Sequence, residues 1–356
     1  NIAVYDSAII HFEKAIPLYY QDDFERGAAS AKNNLAQAQK LKGSYDEALD
    51  NFYSSLSIFE EYKDTLNIGE LHSNIGALLL EIDELDAAEE HFQISRRQYQ
   101  LANAELQEAW IVQDLGNLKL KQNDPKSAKR YFMESLTIWK KFDRIKEYNN
   151  CVLRLAESEM LIGEYTHAAS LLAKTIDEFY KVNNLQGVSE AWMLLGKNDR
   201  LSGDYSNAIE HLNKSLEVSG IVKSEQLLMN IYNNLYLSYK ALEKPSKALE
   251  YHELFVAIKD SLFNTNRQKL IAEYQTKLNL ANKEYFIKQL EDSTRQQQLI
   301  NQYISHQNRQ KQISIYGLIA VVVVIIFLIY IIFKRYKTTR RLNDELEIAL
   351  KEREVL

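Results

Sequence analysis

The sequence of 356 residues holds one cysteine, three prolines and eleven glycines. The single Cys151 excludes an internal disulfide framework and any cysteine-based metal site, and leaves the redox compartment open. So few glycines and prolines leave little turn punctuation, which predicts a chain that is nearly all helix. There is no excess of positive charge: the net charge of -6 gives no basic footprint for DNA or RNA, so nucleic-acid binding is not expected in this segment. GxxxxGK[ST], HExxH and paired-cysteine motifs are all missing. No secretory signal peptide is visible at Asn1, which suggests an excerpt or a processed form. What the chain does have is apolar content of 46%, ample for a core.

It also has a beat. Alanine recurs every 40 residues at Ala8, Ala48, Ala88, Ala128, Ala168, Ala208 and Ala248. Four residues after each stands a large side chain: Phe12, Phe52, Phe92, Phe132, Leu172, Leu212 and, as a variant, His252. Twelve residues before it stands a small one, Ala36, Gly76, Gly116, Ala156 or Gly196, with Tyr236 the exception. Small residues on two antiparallel helices let the backbones approach while the bulky ones fill the space between them. Self-similarity at a fixed period implies a stacked solenoid. Gly43, Gly163 and Gly203 suit left-handed helix ends, and Asp83 and Asn123 are the next best tolerated there. Pro125 and Pro245 suit the first turn of a following helix. Ala8 lies on a second helix of a pair, so at least one helix is expected before Asn1.

The pattern resembles the tetratricopeptide repeat, whose signature positions are met by Trp192, Leu195, Gly196, Tyr205 and Ala208. The resemblance covers residues 1 to about 262. It departs from the family in period, since the usual repeat has about 34 residues. The extra length is expected in the helices, which end in polar turns such as Lys63-Asp64-Thr65 and Asn183-Asn184.

Beyond Phe263 the register fails. Asn266 to Gln312 reads as one long helix whose first turns cap the solenoid. Ile271, Tyr274, Leu278, Ala281 and Tyr285 keep a spacing suited to pairing with another helix, so a homodimer is expected. Ile313 to Phe333 carries no charge over 21 residues. As a helix it is roughly 31 Å long against a hydrocarbon core of about 30 Å, and it is expected to span a bilayer once. Lys334, Arg335, Lys337, Arg340 and Arg341 follow it, while only Arg309 and Lys311 stand just before it. The positive-inside bias puts the C-terminus in the cytoplasm and the repeats outside. Leu342, Leu346, Ala349, Arg353 and Leu356 then start a second seam, interrupted by Arg353.

This order is similar to that of tetratricopeptide-repeat sensor histidine kinases. Two stretches carry the likeness, Lys259 to Asn264 running into Leu270 to Thr276, and Leu350 to Leu356. The resemblance implies a bacterial inner-membrane receptor, with a kinase domain that uses ATP and Mg and addresses a response regulator. None of that kinase machinery is in this chain. His306, in Ser305-His306-Gln307, precedes the apolar stretch and is not read as a phosphoacceptor. The expected domains are therefore a solenoid of about six 40-residue hairpins over 1–262, a capping and connecting helix over 263–312, a transmembrane helix over 313–333 and a signalling coiled coil over 334–356. A membrane scaffold or a transcriptional regulator with a helix-turn-helix output is the alternative.

No catalytic, cofactor-binding or metal-binding residue is assigned. His11, His91 and His211 share a repeat position, but metal binding there is less favoured than surface packing. Cys151 aligns with Ala31, Leu71, Ile111, Ala191 and Ile231 and is expected in the core. In tetratricopeptide proteins the first helices of each pair line the concave face, where side chains hold an extended peptide by its backbone. The corresponding register here carries Asn34, Asn74, Asp114, Arg154 and Asn234, preceded by Asn33, Ser73, Gln113 and Asn233. Amides that both donate and accept suit a peptide backbone. They suit equally the tying of one repeat to the next. Trp110 and Tyr232 are candidates for apolar contacts, though packing is the more common role of such residues. The candidate ligand is a peptide or protein.

Overall fold

Each 20-residue half of the repeat has the same design: about four and a half turns of helix with apolar residues on one stripe, then a turn that reverses the chain. The computed structural model describes the backbone of residues 2–354 other than 223, and the side chains of residues 4–345 other than 223, 263–270, 272–274, 281, 284 and 285. Among the described residues the structure is helical with no strand. Helix α1 (Ile2–Gln21) is followed by five hairpins. These are α2 (Glu25–Lys42) with α3 (Tyr45–Glu61), α4 (Thr65–Glu81) with α5 (Leu85–Leu101), α6 (Glu105–Lys121) with α7 (Pro125–Lys141), α8 (Ile145–Leu161) with α9 (Tyr165–Lys181), and α10 (Leu185–Ser202) with α11 (Tyr205–Val222). A sixth is formed by α12 (Glu225–Ala241) and the start of α13 (Pro245–Glu354). The fold is thus an all-α, tetratricopeptide-like solenoid with a long apolar stretch in its last helix.

The turns that follow α1 to α10 and α12 share one geometry. A residue with positive φ closes each of these helix ends: Asp23, Gly43, Lys63, Asp83, Asn103, Asn123, Asp143, Gly163, Asn183, Gly203 and Glu243. At Gly43 the amide donates to Lys40 O at 3.0 Å and that of Ser44 to Gln39 O at 2.9 Å, which satisfies two carbonyls the helix end would leave bare. The next helix then starts on a polar cap at several places. Asp124 accepts from the Ser127 amide at 3.1 Å, immediately ahead of Pro125.

Within a hairpin, the small and large residues of the repeat meet as their spacing demands. A methyl added at Gly116 would lie 2.5 Å from Phe132 Cε1, and one at Gly76 would lie 2.7 Å from the Phe92 ring. Phe52, Phe92, Phe132 and Leu172 are fully buried beside Ala48, Ala88, Ala128 and Ala168. A second tie is polar. Ser55, Ser95, Ser135 and Ser215, all fully buried, donate to the carbonyls of Ala29, Gly69, Ala109 and Ser189 at 2.6–2.9 Å, clasping the second helix of a hairpin to the first. Cys151 is fully buried, and burial pushes its thiol up to about 12.

The chain divides into two compact units, Asn1–Leu280 and Ala281–Leu356. Packing in the first continues past residue 262, where the repeat register ends. Thr276 is buried, Leu280 packs against the cluster that contains Tyr45 and Ile82, and Asn279 Nδ2 donates to Asp46 Oδ2 at 2.6 Å. Lys277 Nζ lies 3.9 Å from Glu84 Oε1. In the second unit, Phe286–Glu345 holds a window of mean hydropathy 3.2 with none of it buried. It is the one helix among the described residues long and apolar enough to cross a membrane. Ile271, Leu278 and Leu342 of the two expected seams are exposed. Tyr274, Ala281, Tyr285, Leu346, Ala349, Arg353 and Leu356 of those seams lie outside the residues whose side chains are described.

Candidate functional groove

Helices α6, α8 and α10, the first helices of three successive hairpins, bound a cleft of about 970 Å³. Gln113 and Asn117 enter it from α6, Lys146, Asn150 and Arg154 from α8, and Gln186 and Glu190 from α10. Side chains three and four apart fall on one helical face, so α8 presents a ladder of polar groups here. Arg154 is held from both sides, by Glu157 one turn along its own helix and by Glu190 on α10. Lys197 Nζ, also on α10, lies 3.4 Å from Glu157 Oε1. Gln113 Oε1 is buried with no hydrogen-bond partner.

The five residues predicted from the register do not all share this cleft. Arg154 lines it. Asp114 is half-buried on the same helix as Gln113, and loss of water pushes its carboxyl up to about 6, against the lowering effects of Asn117 and Lys40. Asn74 Nδ2 donates to Asn33 Oδ1 at 2.9 Å, and Asn33 Nδ2 to Glu70 Oε1 at 2.8 Å, a relay between α2 and α4. Asn234 is buried and accepts from Arg200 Nε at 2.9 Å while donating to Asn230 O at 2.8 Å. Asn34 is exposed and lines a separate hollow of about 390 Å³ with His11, Phe12 and Phe24. Asn74 and Asn234 therefore tie neighbouring hairpins together, the second of the two roles open to such amides.

Asn117, Asn150 and Glu190 were not singled out by the register argument. The signal for Asn150 and Glu190 was present: Glu70, Asn150, Glu190 and Asn230 stand four residues before the chosen register, on the same face one turn earlier. Trp110 packs edge-on against Trp139, with ring centroids 5.0 Å apart, and Tyr232 packs beside Tyr251 at 6.1 Å.

The histidines that share a repeat position are dispersed. His91 Nδ1 lies 2.9 Å from His72 Nδ1. Both imidazoles are pulled down to about 4 by burial, and His72 further by the nearness of His91. His211 Nδ1 meets Asp199 Oδ2 at 2.6 Å and its ring stacks on Trp192 at 5.2 Å. Among the described residues one acidic trio, Glu159, Glu164 and His167, is close enough to hold a cation. At that position Lys129 pairs with both carboxylates, and His167 Nδ1 lies 2.7 Å from Glu159 Oε2.

Residues 67–141 match the tetratricopeptide repeat family. No curated protein matches the chain by sequence. Among solved structures it is similar to the apo form of RapI, with 15% identity, a TM-score of 0.61, and 73% of this chain and 93% of that one covered. A Rap protein complexed with competence and sporulation factor gives 13% identity and a TM-score of 0.52, covering 72% and 77%. A signal-transduction ATPase with a tetratricopeptide repeat sensor from Pyrococcus horikoshii gives 13% and 0.59, covering 73% of this chain and 42% of that one. At such identities the likeness is one of fold. The class defined is a tetratricopeptide-like repeat protein, an architecture suited to binding proteins or peptides.

Proposed function

We propose that this chain is the sensing part of a single-pass membrane signalling protein, whose repeats bind a peptide or protein and whose last helix carries the signal across the bilayer. The observation that carries the reading is the polar cleft over α6, α8 and α10, where Gln113, Asn117, Asn150 and Gln186 offer amides around a doubly held arginine. Extended peptides present alternating donors and acceptors, and side-chain amides match both. The solved Rap complex supports the same use of a related fold.

A receptor must also pass on what it binds. Asn279 and Lys277 of α13 are held by Asp46 and Glu84 in the first unit, so the helix that continues into the apolar stretch is attached to the repeats at its root. A ligand that favours one arrangement of the hairpins over another biases that attachment, whereas equal affinity for both shifts nothing. In this reading the protein is a homodimer in a bacterial inner membrane, with the repeats outside and the basic segment from Lys334 inside. The output is a histidine kinase domain that uses ATP and Mg and phosphorylates a response regulator.

A photo-crosslinking residue placed at Asn150 tests the binding claim in intact cells. The expected result is an adduct with a peptide or protein that Arg154→Glu removes and that is not formed from Met133, an exposed residue of α7. Equal capture from both positions would sink the reading. Labelling single cysteines in the repeats with an impermeant reagent tests the orientation, and protection until lysis would reverse it.

A further inference from the structure

Between its docked root and its apolar stretch, α13 leaves large hydrophobic side chains bare. Phe286, Leu290, Leu299, Ile300, Tyr303 and Ile304 are 49–64% exposed. They fall within one half of the helix circumference, at 3.6 residues per turn. Lys288, Glu291, Arg295 and Arg309 share an arc of about 60° on the other half, with Asp292 at its flank. An apolar side facing a charged side is the pattern of a helix that packs on something.

The spacing says what the partner is. Phe286, Leu290, Ser293, Gln297, Ile300, Ile304, Gln307 and Lys311 follow one another at alternating intervals of four and three, the period at which a helix pairs with another along a seam. Leu342 and Leu346, past the apolar stretch, stand eight heptads after Phe286 and Leu290 and so keep the same two columns. Upstream those columns hold Asn279 and Thr276, and there the repeats have taken them: Thr276 is buried and Asn279 Nδ2 donates to Asp46 Oδ2 at 2.6 Å. The spacing from Ile271 to Tyr285 does not share these columns. The free seam therefore starts at Phe286, where the docked segment has ended.

We infer that this side of α13 is the interface with a second copy of the chain, a parallel coiled coil that begins at Phe286. The inference deepens the dimeric, membrane-spanning reading given above and rests on it. Two copies that cross a bilayer in the same direction lie parallel and level, so each seam residue meets its own counterpart. Like charges would then repel, and the seam from Phe286 to Ile304 carries none. Lys311, beside the apolar stretch, is the exception and makes that layer the weak one. At about 100 Å² for each half-exposed side chain of this size, the six offer roughly 600 Å² per copy, within the range of about 600–1,000 Å² per partner of a stable interface. The polar layers at Ser293 and Gln297 add to that area and fix the register rather than the strength.

The test places single cysteines from position 286 to 307 in the full chain carrying Cys151→Ala, in native membranes, and oxidises them. Alanine already stands at the Cys151 register in two other hairpins, as Ala31 and Ala191. The expected result is a disulfide-linked dimer that recurs with the seam, at least about fivefold stronger from positions 290, 300 and 304 than from 288, 295 and 302. Leu290→Glu with Ile304→Glu lowers the dimer linked from position 300 at least about tenfold, Arg295→Glu leaves it unchanged, and Lys311→Leu raises it. Unfolding followed by tryptophan fluorescence shows that the repeats stay intact in each variant, since all three tryptophans lie in them. Maxima at 288, 295 and 302 overturn this seam while leaving a dimeric receptor. Links to a chain of another mass, or none at any position, overturn the seam and the homodimer together. The adduct captured from Asn150, recorded in the same membranes, decides peptide binding separately.

Discussion

Arg200 and Asn234 join α10 to α12 through one hydrogen bond, Nε to Oδ1 at 2.9 Å, and the asparagine keeps its own helix with the other end of its amide. The residue that reads from sequence as a peptide clamp is thereby committed to holding two hairpins in register. In an array where each hairpin touches only its neighbours, such a bond sets the angle at one joint.

Asn234→Ala is expected to lower stability by about 1–2 kcal/mol, because Arg200 is left half-buried without its acceptor. Urea unfolding followed by tryptophan fluorescence of the full chain in detergent measures this. Arg154→Ala, whose partners are partly open to water, is expected to cost less. An equal loss in the two variants would contradict the assignment of Asn234 as the tie.

Acid should weaken the second hairpin. The imidazoles of His72 and His91 stand at about 4 in the fold against the ordinary 6.5, so the unfolded chain takes up protons first. Their contribution is intact above pH 6.5 and is lost as pH falls towards 4. The loss is expected to be on the order of 2 kcal/mol per imidazole by about pH 5, and His91→Asn should shallow the slope. Melting temperatures across this range provide the check.

Asp114 works in the opposite sense. Its carboxyl is raised to about 6 by desolvation, so at neutral pH the fold carries the cost of an ionised group short of water. Asp114→Asn is expected to stabilise the protein by about 1 kcal/mol near pH 7, with the gain vanishing below about pH 4, where the acid is neutral whether folded or not. Asp114 is not among the residues that line the cleft, so the adduct captured from Asn150 is expected to survive the same change.

Cys151 should be inert until the hairpins open. It is fully buried with its thiol raised to about 12, and Sγ lies 3.6 Å from Phe132 O. Maleimide labelling is expected to be negligible in native conditions and to rise with denaturant along the unfolding curve. Rapid native labelling would show that α7 and α8 separate readily.

The hairpins could be read from the sequence because packing repeats itself: an alanine, a large residue four later and a glycine or alanine twelve earlier are one contact made over and over. Gly116 against Phe132 and Gly76 against Phe92 are that contact in space. The serine clasp was equally periodic at Ser55, Ser95, Ser135 and Ser215, but its partner is a backbone carbonyl, which no side-chain pattern advertises. The groove was half legible. Of that register Arg154 lines the cleft, Asn234 stands in a joint and Asn34 in another hollow, since a repeat fixes which face a side chain leaves from and not which neighbour meets it.

The left-handed residue recurs at Lys63, Asp83, Asn103 and Asn123 alike, whether the turn lies inside a hairpin or between two. An array in which these joints are the same part can be lengthened or shortened by whole hairpins between them without inventing a new junction. Joining Lys63 to the residue after Asn103, for instance, would rebuild a turn already in use. The reach of the array is then an adjustable quantity, set by gene duplication rather than by redesign.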